Sequence, residues 1–199
     1  MTMKKILMTM VIALMTTVCA NAQQMFVKPM VGGTLSTVTK VDDAKMKLGL
    51  VGGAEFGYQL NDQFAVTAGL LAAMEGSGMK DGEQTKDVKS TTTYLNVPIL
   101  ANYYVLPGLA IKAGIQPGFL LSAKHKGSLY DGSKWIDFDK SGTDGMKKFD
   151  LSIPLGLSYE FSDFVIDARY NLGLTKIAEE DMDGKNSVIM LTLGYKIPL

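Results

Sequence analysis

Along most of the chain apolar and polar residues alternate with a period of two. That is the repeat of a β-strand, whose successive side chains point to opposite faces. The last stretch shows it most plainly. Ile189, Leu191, Leu193, Tyr195, Ile197 and Leu199 occupy every second position, with Met190, Thr192, Gly194, Lys196 and Pro198 between them. The same reading predicts strands over 26–38, 48–60, 64–75, 92–105, 109–123, 149–161, 164–175 and 188–199. Short turns around Asp62, Pro107 and Ser162 alternate with long polar connections over 39–47, 76–89, 124–148 and 176–185. Transmembrane barrels join their strands in this way, with short periplasmic turns and long outer loops. The expected fold is all-β: an eight-stranded antiparallel up-and-down transmembrane β-barrel in the outer membrane of a Gram-negative bacterium.

A soluble barrel has the same period, so the composition of the polar face separates the two. Beyond the first 22 residues there are 38 charged residues; 27 fall in the long connections, 2 in the short turns and 9 in strands. A soluble barrel would clothe its outer face in Lys and Glu. Here the non-apolar face is mainly Gly, Ser, Thr, Asn and Gln, sized for a narrow lumen, so the apolar face is the lipid face. Tyr58, Phe64, Tyr103, Tyr159, Phe161, Phe164 and Tyr195 cluster near the short turns or the C-terminus, as an interfacial aromatic girdle would.

The N-terminus follows a different pattern. Lys4 and Lys5 precede an apolar run, 6–18, that is too short to span a bilayer, and Ala20-Asn21-Ala22 makes a small-x-small cleavage site. Residues 1–22 are expected to be a cleavable signal peptide and 23–199 a single barrel domain. Thr16, Thr17 and Val18 fit a lipoprotein site at Cys19 poorly, and Cys19 is the sole cysteine, so no disulfide is expected. Without Lys4 and Lys5 the rest carries 18 basic and 20 acidic residues, net −2, which argues against a nucleic-acid partner.

The nine strand charges are Lys28, Glu55, Glu75, Lys112, Asp150, Glu160, Asp167, Arg169 and Lys196. Parity places all of them on the small polar face, inside the barrel. Buried charges persist when paired, and eight strands enclose a space just wide enough for side chains. The expectation is an interior ion-pair network that plugs the lumen. Arg169 is its expected hub, because a guanidinium can serve two carboxylates, with Asp167 and Glu160 as neighbours.

Two resemblances extend this reading. Thr192, Gly194, Ile197 and Leu199 resemble the C-terminal signal read by barrel-assembly machinery, with Leu199 where an aromatic is usual. The stretches VKPMVGGTLSTV, LNVPILANYY, IKAGIQPGFLLSAK, KKFDLSIPLGLSYEF, DARYNLGLT and LTLGYKI are similar to the PorT-type outer-membrane β-barrel family of Bacteroidetes. That resemblance implies an OmpA-like barrel without a peptidoglycan-binding domain. Some relatives assist protein secretion.

Candidate chemistry is sparse. His125 is the sole histidine, with Ser122, Ser128 and Asp131 near it, but a solvated loop histidine accounts for it. Asp137, Asp139 and Ser141 copy the start of a calcium loop, yet Lys148 stands where the bidentate acid belongs. The glycines 49, 52 and 53 lack the strand-to-helix setting of a phosphate site. Tyr130, Trp135 and Phe138 gather on the longest connection, as recognition residues do; packing on the barrel rim or resting in the outer leaflet accounts for them equally well. The expected protein is non-enzymatic and needs no cofactor. Its expected partners are outer-membrane lipids, the barrel-assembly machinery, and an extracellular protein or glycan met by the loops. The alternatives are an accessory of protein secretion, then a small solute pore or a lipid-modifying enzyme.

Overall fold

The computed structural model describes residues 25–39, 44–80, 85–130, 132–143, 145–177 and 184–199. The expected signal segment and Cys19 lie outside the described residues. The strands are β1 (Met25–Val38), β2 (Ala44–Lys45), β3 (Lys47–Asn61), β4 (Phe64–Met79), β5 (Thr85–Asn96), β6 (Ile99–Leu106), β7 (Leu109–Tyr130), β8 (Trp135–Ser141), β9 (Phe149–Phe161), β10 (Phe164–Gly173), β11 (Asn186–Tyr195) and β12 (Ile197–Pro198).

Antiparallel pairing runs β1–β3–β4–β5/β6–β7–β9–β10–β11 and returns to β1, closing a ring of eight strands. Two ring strands are each drawn as two segments. Pro98 has no N–H for the ladder, so β5 and β6 part at Val97-Pro98. Val97 still donates to the Pro117 carbonyl at 2.8 Å and Pro98 still accepts from Gly69 at 2.9 Å. Lys196 turns aside to donate to the Asp163 carbonyl at 2.7 Å, which separates β11 from β12. Closure is made by residues of the expected assembly signal. Thr192 pairs with Gly32, Gly194 with Met30 and Ile197 with Val27, and Leu199 N donates to Met25 O at 2.9 Å. A closed ring leaves no unpaired edge in the hydrocarbon layer.

The two faces of the wall separate as parity predicts. Leu191, Leu193, Ile166, Leu155, Leu157, Ile111 and Leu70 lie outward and exposed. Thr192, Asp167, Ser158 and Lys112 lie inward and buried. Phe64 packs at a tilt against Tyr103 at 4.9 Å and Phe164 edge-on against Tyr195 at 5.2 Å, both next to short turns. Phe119 and Phe149, 5.7 Å apart, mark the opposite rim. Leu193 is 51 % exposed and Thr192 3 %. Arg at Leu193 is expected to cost about 2–4 kcal/mol if the site lies at mid-membrane, by the depth scale for barrels. Urea titration in lipid vesicles measures it. An unchanged midpoint would mean that Leu193 does not face hydrocarbon.

Two expected loops are largely strand. The connection 76–89 is narrowed by β4 running on to Met79 and β5 starting at Thr85. The connection 124–148 holds the outer part of β7 and the added strand β8, which pairs with it from Lys124↔Ser141 to Tyr130↔Trp135. Polar residues on both faces hid this hairpin from a reading based on alternation.

Candidate functional site

The lumen is filled in layers, which strand register orders from the periplasmic end outward. At the bottom, Lys196 Nζ lies 4.5 Å from the centre of the Phe26 ring and 2.8 Å from Glu160. The Tyr104 hydroxyl donates to Glu160 at 2.6 Å. These groups close the narrow end.

The next layer holds Lys28, Glu55, Lys112, Asp167 and Arg169, all buried. They come from β1, β3, β7 and β10, and register brings Lys28 opposite Glu55. Lys28 Nζ is 2.8 Å from Glu55 and 3.8 Å from Asp167. Arg169 Nη2 reaches Glu55 at 2.5 Å, while its Nε and Nη2 donate to Asp167 at 2.6 and 2.9 Å. Lys112 donates to Asp167 as well. Arg169 thus serves two carboxylates, and Asp167 receives all three cations.

Just outward lies an apolar cluster of Met30, Val51, Leu71, Ala73 and Met190. Met30 follows Lys28 by one inward step, and Met190 is the cross-strand neighbour of Arg169.

Above it the lumen turns polar again, around Glu75 and Asp150. Asn96 donates to Glu75 at 3.0 Å, and Asn186 donates to Asp150 at 3.0 Å, with Thr175 donating to the other Asp150 oxygen. Among the described residues no Lys or Arg pairs with either carboxylate. Sequence parity grouped nine charges in one network. The structure distributes them as five in the central layer, the Lys196–Glu160 pair below, and two carboxylates above that hold only neutral donors. Glu160 meets Lys196 rather than Arg169, because it sits at the β9–β10 turn, beyond reach of the centre.

The lumen opens outward into a cavity of about 470 Å³. Its walls are Val38, Met79, Val88, Tyr94, Met146 and Ile177, with Ser77, Ser90, Thr92, His125 and Asn186 among them. His125 reaches it through a β-bulge: Thr93 pairs with Ser122 and Tyr94 with Leu120, so Leu121 is skipped. Parity inverts there. Ser122 and Lys124 turn outward, while Ala123 and His125 turn inward. Ser122 and His125 therefore sit on opposite faces, and Ser128 donates instead to Asp137 at 2.6 Å. No Ser–His pair forms among the described residues; Asp131 lies outside them.

The outer hairpin carries the remaining candidates. Tyr130 and Trp135 stack at 5.3 Å and are exposed. Phe138 lies on the other face, opposite Gly127, where a Cβ would meet the Phe138 ring at 3.0 Å. Asp137, Asp139 and Ser141 occupy alternate positions of β8, in extended backbone rather than a turning loop, and Asp139 pairs with Lys126 at 2.8 Å. Among the described residues no group of three or more His, Cys, Asp or Glu side chains could hold a metal ion.

A closed ring with an apolar outer face and a filled polar lumen defines a membrane β-barrel. The family model described as an outer membrane protein beta-barrel domain matches residues 19–179. The chain belongs to that family, and the protein resides in the outer membrane. No curated protein matches it. Among solved structures it is similar to Ail, the attachment invasion locus protein of Yersinia pestis, solved in complex with the heparin analogue sucrose octasulfate. Identity is 20 %, covering 87 % of this chain and 99 % of Ail, with a TM-score of 0.51. It also matches OprG from Pseudomonas aeruginosa at 15 % identity, covering 88 % of this chain and 97 % of OprG, with a TM-score of 0.44. The likeness to Ail is one of fold.

Proposed function

We propose that the protein is a closed, non-enzymatic barrel that holds an outer recognition hairpin against the cell surface. The observation that carries this reading is the filled lumen. Four successive layers of side chains stand between the periplasmic end and the outer cavity, and each spans a space already narrow in an eight-stranded barrel. Activity then belongs to the outer surface. There Tyr130 and Trp135 pack together on the hairpin formed by β7 and β8, with Lys124, Asp137 and the Lys126–Asp139 pair on the same outward face. Aromatic rings offer stacking area to sugar faces, and Lys124 favours anionic groups. The heparin analogue bound to Ail is an anionic sugar of that kind, and an anionic glycan is the ligand we assign to this hairpin.

The test is binding of heparin to the mature protein in nanodiscs of neutral lipid. Expected is salt-sensitive binding that weakens about tenfold, or roughly 1.4 kcal/mol, in Trp135→Ala. Binding unaffected by Trp135→Ala and Tyr130→Ala together would remove the hairpin from the reading. Crosslinking in cells provides the second arm. A stoichiometric partner held at the periplasmic turns, with no outer ligand, would favour the secretion-accessory role of PorT-like relatives instead.

A further inference from the structure

The outer cavity differs from the other rim grooves in its charge. The grooves beside it are lined by Lys45, Lys47 and Lys89 and by Lys147, Lys148 and Lys176. Among the described residues no lysine or arginine lines the cavity itself, and its walls are mainly aliphatic, thioether and aromatic, with Ser77, Ser90, Thr92, His125 and Asn186 between them. Beneath those walls lie two carboxylates, Glu75 at 4 % and Asp150 at 9 % exposure. Asn186 connects the two levels, since it lines the cavity and donates to Asp150. Thr92 does the same on the other side, lining the cavity opposite Glu75 in the β4–β5 ladder.

Every other lumen carboxylate has a cation. Glu55, Asp167 and Glu160 each meet a Lys or Arg, whereas among the described residues Glu75 and Asp150 meet only amide and hydroxyl donors. A third group points the same way. Gln116 is 3 % exposed and its Oε1 has no hydrogen-bond partner. It projects from β7 one inward step below Gly118, the residue paired with both Asp150 and Asn96. A Cβ at Gly118 would lie 2.6 Å from Asn96 Oδ1, so the Asn96 amide would have to shift. The floor therefore offers two carboxylates, and one step deeper lie the Gln116 amide oxygen and the Asn171 amide, both without partners, below a largely apolar chamber.

Buried anionic acceptors are stable when a cation completes them. The acceptors are too few and too spread along β4, β7 and β9 for a metal cage, while the chamber above has room for a short hydrocarbon group. We propose that the outer vestibule binds a small amphiphilic organic cation, an ammonium group carrying an alkyl or aryl chain. The ammonium sits over Glu75 and Asp150, and the chain lies against Val38, Met79, Val88, Met146 and Ile177. His125, at the wall, sets a polar boundary near the mouth. This site is separate from the hairpin face assigned to glycan, so either can fail alone.

The experiment uses the mature protein in nanodiscs of neutral lipid and four probes: hexylammonium, hexanol, hexanoate and calcium. Binding is followed by isotope-edited NMR of the methionine methyls, which include Met79 and Met146. Hexylammonium is expected to bind at least about tenfold more tightly than hexanol, and hexanoate more weakly than both. Glu75→Gln with Asp150→Asn should erase the advantage of the cation and leave hexanol binding unchanged. Retained heat-modifiable gel mobility shows that this variant folds. Equal binding of hexylammonium and hexanol would overturn the proposal by reducing the site to an apolar pocket. Calcium binding that depends on both carboxylates and excludes hexylammonium would overturn it too, as would no shift at Met79 and Met146 with any probe.

Discussion

Asp167→Asn should lower the stability of the folded barrel by about 3–5 kcal/mol, the range for breaking a buried charge network by removing one partner. The substitution keeps the shape and removes only the charge. Asp167 faces Lys28, Lys112 and Arg169, so the variant would leave three buried cations against Glu55 alone. Arg169→Met should cost less. It leaves Lys28 with Glu55 and Lys112 with Asp167, two opposite pairs in balance. Lys126→Met, which breaks the exposed pair with Asp139, should cost less than about 1 kcal/mol. Urea titration in vesicles, read by the shift between folded and unfolded bands on gels, ranks the three. If Asp167→Asn proves no more costly than Arg169→Met, charge balance is not what holds the layer together.

That ranking illustrates what a linear reading could and could not find. Parity alone put Lys28, Glu55, Lys112, Asp167 and Arg169 inside, because a period of two assigns each residue to a face without knowledge of its neighbours. It also identified Arg169 as able to serve two carboxylates. Which carboxylates was hidden, because the Glu55–Arg169 contact joins residues 114 positions apart through ring closure. Hairpin proximity suggested Glu160, but strand register carries Glu160 to the periplasmic end. The centrality of Asp167 depends on Lys28 and Lys112 as well as its strand neighbour Arg169, and only closure brings those two lysines to it.

The outer rim was less legible for a different reason. Alternation reports a strand only when its two faces differ in polarity, and above the membrane both faces are wet. The hairpin of β7 and β8 therefore read as loop. The bulge at Leu121 added a second error, since one extra residue reverses the facing of everything beyond it. His125 changed from a solvated loop residue to a cavity wall through that single step, and Ser122 moved from the lumen face to the outside. The vestibule, assembled from β1, β4, β5, β7, β11 and two rim segments, had no linear signature at all.

Wild-type protein in a planar bilayer should show no stable stepwise conductance, and neither should Arg169→Ala. Removing the guanidinium thins the central layer, but Met30, Val51, Leu71, Ala73 and Met190 still close the lumen above it. Lys196, Phe26 and Glu160 still close it below. An opening has to pass these three levels and the polar one around Glu75 and Asp150. The triple variant Arg169→Ala, Met30→Ala and Lys196→Ala removes one long side chain from each of the first three. The methionine truncation alone is expected to cost about 2–5 kcal/mol, so retained heat-modifiable mobility must be checked first. In folded protein the triple variant should conduct, while each single variant stays silent. Stepwise current in Arg169→Ala alone would make the charged layer the sole barrier, and porin-sized current in the wild type would overturn the closed-barrel reading altogether.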